Sequence, residues 1–186
     1  MDPLRHRLNR EQAALLVIDV QERLSAVMPQ EVFARTLQNL IRCVEGAKLL
    51  SVPIVWTEQY VKGLGPTVGP LRAAMPAGLQ PLEKLVFSSC AVPAVREALR
   101  GKTQVICAGM ETHVCVFQTA RDLEELGVRT FIPGDAVISR AKLNWQLGLE
   151  CLRGMGSTIT STEMMLFDLT KTAGTTEFKA ISSLVK

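Results

Sequence analysis

Histidine is scarce in this chain: His6 and His113 are the only two in 186 residues. A centre built from several imidazoles is hard to assemble from that supply; neither a metal nor another cofactor is expected. Cysteine occurs five times, at Cys43, Cys90, Cys107, Cys115 and Cys151, but no two form a C-x-x-C pair and the number is odd. That pattern argues against a disulfide framework and against structural zinc, and most of these thiols read as small buried hydrophobes. No apolar run is long enough to span a bilayer, so no membrane partner is expected. Neither sign of charge dominates: the net charge is +3, with Lys and Arg scattered among Asp and Glu. Without a basic patch, nucleic acid is not an expected partner. The stretch MDPLRHRLNREQ is polar and lacks the apolar core of a signal peptide, which makes a cytoplasmic protein the expectation. Repeats, low-complexity segments and linkers are also missing. With 47% hydrophobic residues, the chain is expected to fold as a single domain over residues 1–186.

What is present is an alternation of apolar runs and helical patterns. The run at 13–20, AALLVIDV, reads as a buried strand. Residues 32–51 follow as a helix, with Leu37, Leu40, Ile41, Val44 and Ala47 at helical spacing. Strands are expected at 52–59 and 84–88, separated by a Gly- and Pro-rich loop at 60–81 holding one short helix. A helix at 93–101, a strand at 103–109, a helix ending at Gly127 and a strand at 128–137 come next. A helix at 141–156, a last strand at 157–162 and a terminal helix complete the pattern. Such alternation predicts an α/β protein whose parallel sheet has helices on both faces, with its ligand site beyond the carboxyl ends of the strands.

Three reactive residues fall at strand ends. Asp19 closes the first strand, where it reads either as a turn carboxylate or as a catalytic one. Lys84 opens the third strand among aliphatic residues, either as an edge lysine reaching water or as a charge held in a site. Cys115 follows the most apolar strand. If Thr112 caps the next helix, the thiol lies in its first turn, where the helix dipole favours a thiolate; a packing role is the other reading.

The segments ALLVIDVQERL, EKLVFS and GMETHVCV, in this order, resemble the isochorismatase-like cysteine hydrolases, and TEQYVKGLGPT resembles an uncharacterised branch of them. The resemblance implies a three-layer αβα fold with a six-stranded, mainly parallel sheet. It implies a triad of Asp19, Lys84 and Cys115, with the thiol as nucleophile and the carboxylate as proton carrier. It also implies an oxyanion hole from the backbone N–H groups of Glu111 and Cys115, with a cis peptide between Met110 and Glu111. Family members usually assemble, so a homo-oligomer, a dimer or higher, is expected.

Departures from the family narrow the chemistry. The Asp and two His that bind metal in nicotinamidase members have no counterparts here. The position five after the aspartate, often aromatic, is Leu24, whereas Gln21 is retained. Trp56, Tyr60 and His113 are further candidates for contacting a small-molecule substrate. The expected activity is hydrolysis of a small amide or related C–N bond through a thioester. The alternatives are vinyl ether hydrolysis of the isochorismate type, a non-catalytic oligomeric binding module, and a thiol-redox sensor. Members that cleave the vinyl ether do not rely on the cysteine, so Cys115 weighs against the first.

Overall fold

The computed structural model describes residues 6–186; the first five residues of the polar N-terminal stretch lie outside it. The first apolar run forms β1 (Ala13–Ile18), in which every residue is buried. Side chains alternate across a strand, and here both faces meet apolar partners. Ala13, Leu15 and Val17 enter one core, while Ala14, Leu16 and Ile18 enter the other. A continuous aliphatic run is what a strand covered on both sides requires.

The chain continues through α1 (Glu22–Ser25), α2 (Gln30–Leu49), β2 (Ile54–Gln59), α3 (Val61–Leu64), α4 (Gly69–Ala74) and β3 (Leu82–Lys84). Next come α5 (Pro93–Ala98), β4 (Gln104–Met110), a π-helical turn over Thr112–Val116, α6 (Phe117–Glu125), β5 (Arg129–Pro133) and β6 (Val137–Ile138). The chain closes with α7 (Lys142–Met155), β7 (Thr158–Thr160), α8 (Thr162–Thr170) and α9 (Thr176–Val185). Helix α2 buries Phe33, Leu40, Cys43, Val44 and Ala47 along one stripe, the spacing that marked it in the sequence. It packs with α8 and α9 over one core, while α6 and α7 share the other. The result is a three-layer α/β fold.

All the strand pairs are parallel, in the order β3-β2-β1-β4-β5-β7, and β6 pairs with the end of β4. The strand order reverses between β1 and β4, so a crevice opens beyond their carboxyl ends. At the level of these two strands, Gly109 stands opposite Ile18, with φ of 122°. A side chain at Gly109 would run into the Ile18 carbonyl. Glycine therefore lets the two site-bearing strands close on each other.

Several expected boundaries differ. The third strand ends at Lys84 instead of starting there, and Leu85, Val86 and Phe87 turn outward, exposed. The expected strand at 128–137 is two pieces, because the chain turns between Pro133 and Val137. That extra piece gives the sheet seven strands, six on one path. The 60–81 segment holds two short helices, and α8 begins within two residues of β7. Short helices fixed by tertiary contacts leave little periodicity to read.

Candidate active site

The carboxyl ends of β1, β2, β3 and β4 deliver Asp19, Gln59, Lys84 and the 110–116 turn to one place. Asp19 leaves β1 in a left-handed conformation, φ 51°, with its N–H bonded to the Thr57 carbonyl at 3.2 Å. A non-glycine residue rarely adopts that geometry, and it aims the carboxylate across the strand ends. Its Oδ1 accepts from the Thr57 hydroxyl at 2.7 Å, and its Oδ2 faces Lys84 Nζ at 2.5 Å. Both side chains are removed from solvent, 1% and 0% exposed. Lys84 also reaches Gln59 Oε1 at 2.6 Å and the carbonyls of Phe87 and Val86 at 3.0 and 3.2 Å. An ammonium has three hydrogens, and four oxygens surround this one. The reading of Lys84 as an edge lysine reaching water is therefore overturned.

Cys115 lies close enough to Asp19 and Lys84 for both to act on its proton affinity, and its thiol donates to Gln59 Oε1 at 3.3 Å. It sits in the π-helical turn, where the Val116 N–H bonds back to Glu111 at 3.2 Å. Thr112 does not cap a helix as expected; its hydroxyl is buried without a hydrogen-bond partner among the described residues. Nor is the thiol lowered by a helix end. Burial pushes the Cys115 pKa up to about 12, the negative charge of Asp19 adds to this, and Lys84 works against both. Burial also raises Asp19 above the usual carboxylate range, outweighing the opposing pull of Lys84, Thr57 and Cys115. The resting site therefore holds a neutral thiol beside a carboxyl group whose affinity for protons is enhanced.

A cavity of about 130 Å³ opens on these groups. Leu24, Leu64, Phe87 and Val114 form apolar walls, and Asp19, Gln59, Glu111 and Cys115 supply the polar lining. The Met110–Glu111 peptide, at its edge, is cis. The Glu111 carboxylate is bound by Arg140 Nε at 3.1 Å and the Arg140 N–H at 2.9 Å. A larger groove of about 490 Å³ lies elsewhere, between α2 and the start of α7, but no thiol lines it. Among the described residues, no three His, Cys, Asp or Glu side chains gather where a metal ion could be held.

The expected substrate contacts divide. Leu24 lines the cavity. Trp56 packs in the core with Val17 and Leu40, Tyr60 is exposed against Gly63, and the His113 Nδ1 pairs with the Ser139 hydroxyl at 3.0 Å; none of the three lines it. Gln21 is fully buried and acts as a brace: its amide bonds the Gln59 N–H at 2.7 Å, the Gln59 carbonyl at 2.9 Å and the Gly65 carbonyl at 2.6 Å. Sequence reasoning missed Gln59 and Thr57. The signal was polar residues closing an otherwise apolar strand, since buried polar groups at a strand's carboxyl end need partners.

The chain and its fold have known relatives. The isochorismatase domain model matches residues 13–164. Isochorismatase domain-containing protein 2 of Bos taurus is 39% identical over 175 residues, 92% of this chain and 82% of that protein. The structure described as MAR1 ribonuclease from Caenorhabditis elegans superimposes with a TM-score of 0.91 at 32% identity, covering 96% of this chain and 92% of its own. The YcaC gene product from Escherichia coli, described as an octameric hydrolase of unknown specificity, superimposes with a TM-score of 0.86 at 22% identity, over 96% and 90% of the two chains.

Proposed function

This chain belongs to the isochorismatase family, and on that premise we propose that it is a single-domain cysteine hydrolase of small amides or related C–N bonds. The observation that carries this reading is the fully buried Asp19–Lys84 ion pair facing the Cys115 thiol at the end of a small cavity. Asp19 takes the thiol proton as the sulfur attacks the substrate carbonyl, and Lys84 balances the charge left behind. The developing oxyanion is received by the backbone N–H groups of Glu111 and Cys115. Asp19 then returns the proton to the departing amine, leaving a thioester. Water, deprotonated by Asp19, opens the thioester and restores the thiol. The raised pKa of Cys115 fits a thiol that is deprotonated only as substrate enters, and the raised pKa of Asp19 makes it a better proton acceptor.

Ribonuclease activity is a second reading, favoured by the description of the Caenorhabditis elegans relative. The cavity, at about 130 Å³, is far below the roughly 300–1,000 Å³ of ordinary ligand pockets and offers no imidazole. It suits a small amide better than a nucleotide. As an enzyme of small molecules we place the protein in the cytoplasm, acting as an oligomer. The test pairs a panel of small amides and carbamoyl compounds, read by ammonia release, with a labelled RNA. The expected outcome is ammonia release that disappears in Cys115→Ala and falls nearly as far in Cys115→Ser. Turnover retained by Cys115→Ala would remove the thiol mechanism, and RNA cleavage without amide turnover would install the second reading.

A further inference from the structure

We infer that the cavity beside Cys115 selects a short, uncharged aliphatic carboxamide and rejects the matching carboxylate. The inference deepens the proposed function by naming its substrate class. Each charge at the site is already matched. Asp19 and Lys84 neutralise each other at 2.5 Å, and Arg140 holds Glu111. Lys84, the cation that acts on the thiol, is surrounded by four oxygens and has no hydrogen to spare for a ligand. An anionic substrate would therefore lose its hydration and meet no counter-ion, with two carboxylate-bearing residues in the lining. Isochorismate, which carries two carboxylates, is disfavoured on the same ground.

A neutral polar group finds a partner in Gln59. An ammonium only donates, so the amide atom 2.6 Å from Lys84 is the oxygen. The same oxygen receives the Cys115 thiol. Nε2 therefore points the other way, and it has no partner among the described residues although Gln59 lines the cavity. The Gln21 brace fixes the Gln59 backbone on both its N–H and its carbonyl, so the amide is presented in one orientation. It is a positioned N–H donor for a carbonyl-type oxygen, next to the nucleophile. Leu24, Leu64, Phe87 and Val114 offer an apolar wall to the aliphatic part of the ligand, within about 130 Å³.

The test uses the full-length Cys115→Ala protein, titrated calorimetrically with isobutyramide and with isobutyrate, two molecules of one shape and different charge. Isobutyramide is expected to bind at least about tenfold more tightly. Gln59→Glu keeps an oxygen toward Lys84 but removes the N–H donors, and it is expected to weaken isobutyramide about tenfold. Leu24→Arg places a cation in the apolar wall and is expected to reverse the preference toward isobutyrate, a gain that misfolding cannot produce. Equal affinities, no binding of either compound, or an unchanged preference in Leu24→Arg overturns the selectivity. Binding to a protein without the thiol is independent of the nucleophile, so this failure is distinguishable from loss of the proposed mechanism, which amide turnover by the unmodified protein decides.

Discussion

Single atoms decide the behaviour of the site. Lys84 is the group that holds the Cys115 pKa down, so Lys84→Met raises it further while keeping the apolar stem. Iodoacetamide labelling of Cys115, followed by peptide mass against pH, is expected to need a higher pH in Lys84→Met than in the unmodified protein. Coincident profiles would make Lys84 irrelevant to the thiol. Asp19→Asn acts on stability. A turn carboxylate would be replaced without cost, but here the change strands a fully buried ammonium. Removing one partner of such a pair costs about 3–5 kcal/mol. Urea unfolding of Asp19→Asn is expected to show that loss, and Asp19→Asn combined with Lys84→Met to recover most of it. A double variant as unstable as the sum of the two would show that the pair does not act as a unit.

Elements matter through how closely they approach. The sequence made β1 and β4 legible because both are continuous aliphatic runs buried on two faces. It did not reveal that Gly109 is the point of contact between them. Gly109→Ala forces a side chain into the Ile18 carbonyl at a left-handed backbone position, and the expected loss is about 2–4 kcal/mol together with activity, since Asp19 and Cys115 move apart. Gly154→Ala in α7 is the control: nothing lies within 4 Å of the added carbon, and the helix is expected to gain about 0.5–1 kcal/mol. Chemical denaturation of the two variants compares them directly, and equal stabilities would refute the close approach. The third strand was misread by several residues for a related reason. KLVFS looks like a strand, yet Lys84 turns back to bond the carbonyls of Val86 and Phe87, which pulls that segment out of the sheet.

At the scale of the molecule, exposed apolar surface and buried thiols give two further outcomes. Leu85, Val86 and Phe87 stand exposed together beside the site, surface that a second subunit would cover. Light scattering is expected to give at least a dimer, and Phe87→Glu to reduce the mass; a monomer across a wide concentration range would exclude assembly. Burial pushes both Cys43 and Cys115 from an ordinary value of 9.0 up to about 12, and Cys107 is raised as well. These thiols hold their protons more tightly folded than unfolded. Their contribution is complete below about pH 9 and is lost as pH climbs toward 12, by about 1.4 kcal/mol per pH unit for each thiol. Urea midpoints measured upward from about pH 9 should therefore fall, less steeply in Cys43→Ala. Identical slopes would mean that the thiols are not protected.

The sequence by itself determined the layer architecture, because burial on both faces demands aliphatic runs and surface helices demand stripes, and both patterns are local. It also singled out Asp19, Lys84 and Cys115, whose identities show without coordinates. Tertiary structure decided what they meet. Whether Lys84 reached water or Asp19 depended on where β3 stopped, and whether Gln59 mattered depended on a brace from Gln21 that crosses from the β1 end to the β2 end. Trp56 and Tyr60 were assigned to a pocket by chemical type, but alternation along β2 sent one into the core and a left-handed turn sent the other outward. The size and charge of the cavity belong to residues far apart in the chain, and only their packing together sets them.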